Sequence, residues 1–422
     1  MSKFTDFLEQ KVSNPMARLA EQRHLLAIRD GVVSSLPFII VGSFFLIFAF
    51  PPLPEKWALT QWATEHAAEI LIPYRMTMFI MSLYVAFGIG YSLANSYKVD
   101  PLSGGQIAVA ALLLTITPSV VEELGFVLPM SYLGGQGLFV TIIVSILSVE
   151  IFRVCKQRNI TIKLPSQVPA SVSRSFEALI PVAIVIVIMT IITVVMGVNL
   201  HNLVTKITAP LVTAGDSLFG VLVPVFLITF FWSFGIHGVS VVGSVARPLW
   251  EIYLTGNAEA VASGVEKLPH IAPEPLYQWF IWIGGSGSTI GLVIVMLIFA
   301  KSKYMKQLGK AVVAPSIFNI NEPVMFGLPI VLNPILIIPF IITPLVLAII
   351  SYFATSIGLV SPTYIKAPWT LPAPIGAYLA TGGDWRAIIL VIVNIFISTF
   401  IYLPFFKVYD KKMLEMEKEN GE

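Results

Sequence analysis

Asn319-Ile320-Asn321-Glu322-Pro323 holds the single carboxylate, Glu322, between Glu274 and Asp384, with long apolar stretches on both sides. An ionisable group at membrane depth is expensive, so it normally faces a protein-lined or watery cavity and marks a path for substrate, ion or proton. Working outward, the flanking residues are apolar enough to set the fold class. Of the 422 residues 56% are hydrophobic and 12% charged, with mean hydropathy +0.84, against about 25% charged in a soluble globular chain. Stretches such as 176–198 and 385–406 reach the roughly 20 residues needed to cross a hydrocarbon core as helix. Alternation of period two is missing, so the expected class is an all-α polytopic membrane protein.

Other classes are excluded by the same composition. The net charge is +2 and the basic residues are spread over loops, which gives no nucleic-acid footprint. The lone Cys155 can form no intrachain disulfide and lacks companions for a metal cluster. It is expected to be an ordinary loop thiol, and neither cofactor nor metal is expected. No small-residue cleavage site follows a short apolar core in the first 30 residues, so no cleaved signal peptide is expected. Phe4, Phe7, Leu8 and Val12 have the spacing of an amphipathic surface helix or belong to a solvated tail.

Basic residues orient the chain. Lys and Arg collect in residues 1–30, at Lys98, and in residues 153–175, 301–310 and 407–422, all of which should be cytoplasmic. Spans near 31–50, 74–97, 104–121, 133–152 and 176–198 satisfy that bias, followed by 217–237, 239–261 and 277–300. The middle one of the last three is the weakest because it contains Arg247 and Glu251. After Lys310, 335–358 and 385–406 read as spans. Residues 311–333 and 362–382, broken by prolines and polar residues, read as re-entrant hairpins whose tips meet near the midplane. About ten transmembrane helices plus two re-entrant hairpins result, with both termini cytoplasmic. The domains expected are 1–198, a connecting amphipathic segment 199–216, a substrate domain 217–410 and a tail 411–422.

Candidate chemistry gathers in the second half. His237, between Gly235 and Gly238, is the one histidine of five placed in or at the end of a span, and imidazole exchanges protons near neutral pH. Pro323 disfavours helix at Glu322, freeing backbone groups to face a cavity. Asn319 and Asn321 offer amides suited to sugar hydroxyls or to helix caps. Trp369, in Ala367-Pro368-Trp369-Thr370, presents an indole able to stack on a sugar face. Trp250, Trp279 and Trp385 suit an interfacial aromatic belt. Gly284-Gly285-Ser286-Gly287-Ser288 lacks the strand and lysine of a nucleotide loop and reads as small-residue helix packing.

Phe318-Asn319-Ile320-Asn321-Glu322-Pro323-Val324-Met325-Phe326-Gly327, with Gly235-Ile236-His237-Gly238 and Ala367-Pro368-Trp369-Thr370, resembles enzyme IIC. That is the membrane subunit of the bacterial phosphoenolpyruvate-dependent sugar phosphotransferase system, here in its lactose, cellobiose and diacetylchitobiose family. The resemblance implies a homodimer in the plasma membrane, with a β-linked disaccharide as substrate and phosphorylated enzyme IIB as partner. It implies that Glu322 and His237 lie beside the hydroxyl to be phosphorylated and that Asn321 and Trp369 help to hold the sugar. Asn319 is a further candidate contact. The competing expectation is a proton-coupled secondary transporter that releases unmodified sugar through a Glu322–His237 relay, with a solute channel behind it.

Overall fold

The computed structural model describes residues 21–54, 56–165, 167–328 and 330–419; the amphipathic reading of residues 4–12 falls outside them. The chain forms two compact units. One comprises Ala20–Gly42 and Ile72–Val212; the other comprises Ser43–Leu71 and the chain from Thr213 onward. Residues 43–71 therefore group with the C-terminal unit and not with the N-terminal domain expected from sequence. The boundary runs through helix α1 (Arg23–Ala49).

In the first unit α2 (Met81–Ser96) and α3 (Pro101–Leu113) lie against each other. Glycines make this possible: a Cβ on Gly104 would meet the Cβ of Ala94 and the carbonyl oxygen of Gly90. Asp100 starts α3, its Oδ2 accepting from the Ser103 N–H at 2.9 Å, with Pro101 in the first turn. The helix stops at Leu113, short of the span expected to reach 121. A small antiparallel hairpin, β1 (Ser119–Val121) and β2 (Gly125–Val127), follows, the one strand pair among the described residues. α4 (Leu138–Gln157) packs on both α2 and α3. It contains Cys155, buried within its last turn and not in a loop. α5 (Ala170–Thr190) and α6 (Leu200–Gly215) as far as Val212 complete the unit; α6 gives helical form to the connecting segment.

The second unit is less regular. It contains α7 (Leu218–Ser233). α8 (Gly238–Ala262) is continuous in spite of Arg247 and Glu251. The expected span 277–300 is broken: a short turn at Glu274–Leu276 and a π-helical turn at Tyr277–Ile281 lead into an open loop, and only α9 (Ile290–Phe299) resumes regular helix. α10 (Lys303–Ile317) and the short α11 (Glu322–Gly327) form the first hairpin. α12 (Ile337–Ser356) follows. The second hairpin is extended backbone returning through α13 (Ala373–Ala380), with the Tyr364 and Ile365 N–H groups both donating to the Ala380 carbonyl. α14 (Trp385–Glu419) runs without interruption through the residues expected to form a tail.

Six helical stretches are long and apolar enough to cross a membrane among the described residues, or seven with α6 and α7 taken as one bent span. The smaller number than ten has a physical cause. α3 and α9, at 13 and 10 residues, are cut short by turns, and the charges of α8 lower its hydropathy.

Candidate functional site

The site begins with the way α10 ends. Ile320 N–H donates to Pro315 O at 3.0 Å and Asn319 N–H to Ser316 O at 3.1 Å, a pair of bonds that requires a left-handed residue at Asn319, where φ is +61°. Glycine usually fills such a position, with asparagine the tolerated substitute. The turn delivers Asn321 to the start of α11, where Glu322 is the first helical residue and Pro323 sits in the first turn. The missing proline N–H costs nothing there. Glu322 is thus helical, contrary to the expectation from Pro323, and its side chain is exposed.

The Asn319 side chain is 7% exposed, and its amide is used on both sides. Its Oδ1 accepts from the Gly284 N–H at 3.0 Å, and its Nδ2 donates to the carbonyls of Trp369 at 3.0 Å and Leu371 at 2.9 Å. One amide therefore joins the tips of both hairpins to the glycine loop. Both amide hydrogens of Asn319 already have protein acceptors. Asn321 Nδ2 donates to Ser286 O at 2.9 Å. Trp369, by contrast, leaves 53% of its surface exposed beside these anchors.

The Gly284–Ser288 loop is where the sequence reading fails most. Gly284, Gly285, Gly287 and Ser288 all have positive φ, so this stretch is an open break and not close helix packing. A Cβ on Gly285 would lie 2.6 Å from the Asn321 Cβ, so glycine lets Asn321 reach the loop backbone. The carbonyls freed at this buried break find partners on α14. Asn394 Nδ2 donates to Phe280 O at 2.8 Å, Ser398 Oγ to Ser288 O at 2.8 Å and the Tyr402 hydroxyl to Gly287 O at 2.7 Å. These three sit four residues apart on one helix face, and together they satisfy backbone that lipid could not. The signal was present in the sequence as a polar stripe through an apolar span.

His237 caps α8. Its Nδ1 accepts from the Ser240 N–H at 3.2 Å and lies 3.0 Å from Ser240 Oγ, with the Trp232 ring centroid 4.6 Å away. A neutral ring accepting at Nδ1 carries its proton on Nε2. The imidazole is exposed, and the preceding loop joins the far end of the first hairpin through Leu332 N–H to Ser233 O at 2.9 Å. Below the second hairpin a buried ionic cluster escaped the sequence reading altogether: Lys366 bonds both Glu251 and Glu274, and Arg247 Nη2 lies 3.4 Å from Glu274 Oε1. Trp250 and Trp279 are also buried in this unit, not in an interfacial belt, while Trp385 is exposed.

Multiple apolar helices around broken backbone, with polar side chains gathered at the breaks, define a multi-pass membrane protein of transporter type. Residues 29–344 match the family model described as Phosphotransferase system, EIIC, and the chain belongs to that family. It is 43% identical to the cellobiose-specific EIIC component of Geobacillus stearothermophilus, over 99% of this chain and 97% of that one. It is 31% identical to the lactose-specific EIICB component of Lacticaseibacillus casei, over 96% of this chain and 71% of that one. Among solved structures it is similar to ChbC, the IIC component from the N,N'-diacetylchitobiose-specific phosphotransferase system. The TM-score is 0.91 and the identity 40%, covering 99% of this chain and 100% of that one.

Proposed function

We propose that this chain binds a β-linked disaccharide of the cellobiose, diacetylchitobiose and lactose class, carries it across the plasma membrane and presents a hydroxyl to phosphorylated enzyme IIB. The observation that carries the proposal is the Asn319 amide, which ties the Glu322 segment to the Trp369 segment. Relatives named for cellobiose and for a fused EIICB of lactose support the sugar class and the partner. In this reading the protein works as a homodimer through its first five spans. Ten crossings and two re-entrant hairpins keep both termini cytoplasmic, and residues 217–410 enclose the sugar.

The chemistry is phosphoryl transfer. The sugar hydroxyl oxygen attacks phosphorus on the phosphocysteine of enzyme IIB; an O–P bond forms, the S–P bond breaks, and the thiolate leaves. The hydroxyl proton passes to the Glu322 carboxylate, positioned base catalysis being worth about 10²–10⁴-fold. His237, at the cap of α8, orients the hydroxyl or the carboxylate. Trp369 stacks on an apolar sugar face and Asn321 borders the same space.

Proteoliposomes enclosing phosphorylated enzyme IIB test this directly. Wild-type protein should accumulate sugar phosphate, and Glu322→Gln should lower that rate by at least about 10²-fold while sugar binding persists. Accumulation of free sugar driven by a proton gradient would overturn the proposal in favour of symport. Thermal stabilisation across a disaccharide panel identifies the preferred sugar by mass action.

A further inference from the structure

We propose that Arg247, Glu251, Glu274 and Lys366 form a positioning cluster that sets how far along α8 the second hairpin sits, and so fixes the gap between Trp369 and His237 that a sugar must span. The inference rests on the proposed sugar site and assigns it a length-setting device.

Glu251 is completely buried and Lys366 is 8% exposed. Lys366 reaches Glu251 on α8 and Glu274 at the turn that precedes the glycine loop, and Arg247 closes the ring onto Glu274. Two cations face two carboxylates, so the cluster has no surplus charge with which to hold an ion. The Lys366 backbone is held as well: its N–H donates to Ser43 Oγ at 3.2 Å. Further along α8, Asn257 Nδ2 donates to Thr363 O at 2.9 Å and to His270 O at 2.8 Å. α8 thus grips the second hairpin at two successive heights.

His237 and Trp369 depend on that grip in opposite directions. Fourteen residues of helix separate the His237 cap from Glu251, about 21 Å at 1.5 Å per residue. Three extended residues from Lys366 to Trp369 cover at most about 11 Å. The level on α8 at which Lys366 meets Glu251 therefore limits how closely the Trp369 segment approaches the histidine cap. Ionic pairs suit this task. Exchanging a buried pair for apolar side chains is often neutral or stabilising, and fixing registry is the best-attested use of keeping the charges. Arg247 Nε and Glu251 Oε2 are buried without a hydrogen-bond partner among the described residues, a cost that an arrangement selected for stability would remove.

The test pairs Glu251→Gln with Lys366→Met in one variant, and uses Lys366→Arg as a second. The paired variant should melt near the wild-type temperature, bind disaccharide about 10-fold more weakly, and discriminate less between disaccharides. Transfer from phosphorylated enzyme IIB at saturating sugar should be close to wild type, so the effect falls on KM and not on kcat. Lys366→Arg keeps the charge on a longer, planar head and should weaken binding while preserving the fold. Wild-type affinity and discrimination in the folded paired variant, or in Lys366→Arg if the pair does not fold, overturns the inference. A lowered kcat with unchanged affinity overturns it too. Failure of the wild-type protein itself to make sugar phosphate would instead sink the proposed function.

Discussion

Two glycine-rich regions of this molecule use the same residue for opposite ends. Between α2 and α3, Gly90 and Gly104 stay helical and remove side chains so that two regular helices touch backbone to backbone. At Gly284–Ser288 glycine leaves the helix altogether, with φ of +79°, +99° and +86° at its three glycines. The first arrangement costs little in polar groups, since both glycines stay within regular helix and the Gly104 N–H keeps its bond to Asp100 O. The second releases backbone groups, and the protein must satisfy them with side chains from the turn between α10 and α11 and from α14. The lesson is that small residues in an apolar span are ambiguous until the polar residues able to serve a broken backbone have been located.

The sharpest way to break this comparison is at the residue that serves the break. Asn319→Ala leaves the Gly284 N–H and the Trp369 and Leu371 carbonyls without their partner. Each unsatisfied buried group costs about 1–3 kcal/mol, so the purified protein should melt markedly lower. Disaccharide affinity should fall at least about 10-fold, because both hairpin tips lose their common anchor. Asn319→Gly should recover the left-handed turn without the bridge. If that variant binds sugar like wild type, the bridge has no positioning role.

The ordinary helices were legible because hydrophobic length is a direct consequence of bilayer thickness: α1, α12 and α14 follow from runs of apolar residues. The breaks were legible only where proline marked them, as at Pro323 and Pro368. Gly284–Ser288 passed for helix packing because both uses of glycine look alike until Asn394, Ser398 and Tyr402 are read as a stripe aimed at it. The site was partly legible. Glu322, Asn321 and Trp369 stood out as polar or aromatic residues in apolar surroundings, and the structure gathers the segments that carry them. The ionic cluster was not legible as a unit. Arg247 and Glu251 looked like defects in a span, and their partners Glu274 and Lys366 lie far off in sequence, where only tertiary structure pairs them.

In the regular region the corresponding change should act on stability alone. Gly104→Val drives a branched side chain into Ala94 and the Gly90 backbone. Overpacking of this kind costs about 1–3 kcal/mol, more than the gain in helix propensity, which is under about 1 kcal/mol. Melting temperature should drop while the protein that remains folded binds disaccharide with wild-type affinity. A loss of affinity in the folded fraction would show that the two glycine regions are coupled and that the contrast between them is too simple.

The smallest effect belongs to Asp384, which closes the second hairpin. Its carboxylate accepts from the Ser361 N–H at 2.8 Å and the Arg386 N–H at 3.0 Å, and from Arg386 Nε at 2.8 Å. Burial pushes its carboxyl upward, but the bonds from Arg386 and Ser361 outweigh that and hold it below the usual aspartate value. A depressed carboxyl stabilises the fold fully above the unfolded value near ~3.9, and the contribution disappears as pH falls through the folded value. With Arg386 largely exposed, the pair should be worth no more than about 1 kcal/mol. Asp384→Asn should therefore lower the melting temperature slightly and by a constant amount from about pH 5 to 8, with the gap closing below about pH 4. A gap that persists undiminished in more acidic solution would assign the stabilisation to the shape of the turn, and hairpin closure would then owe nothing to charge.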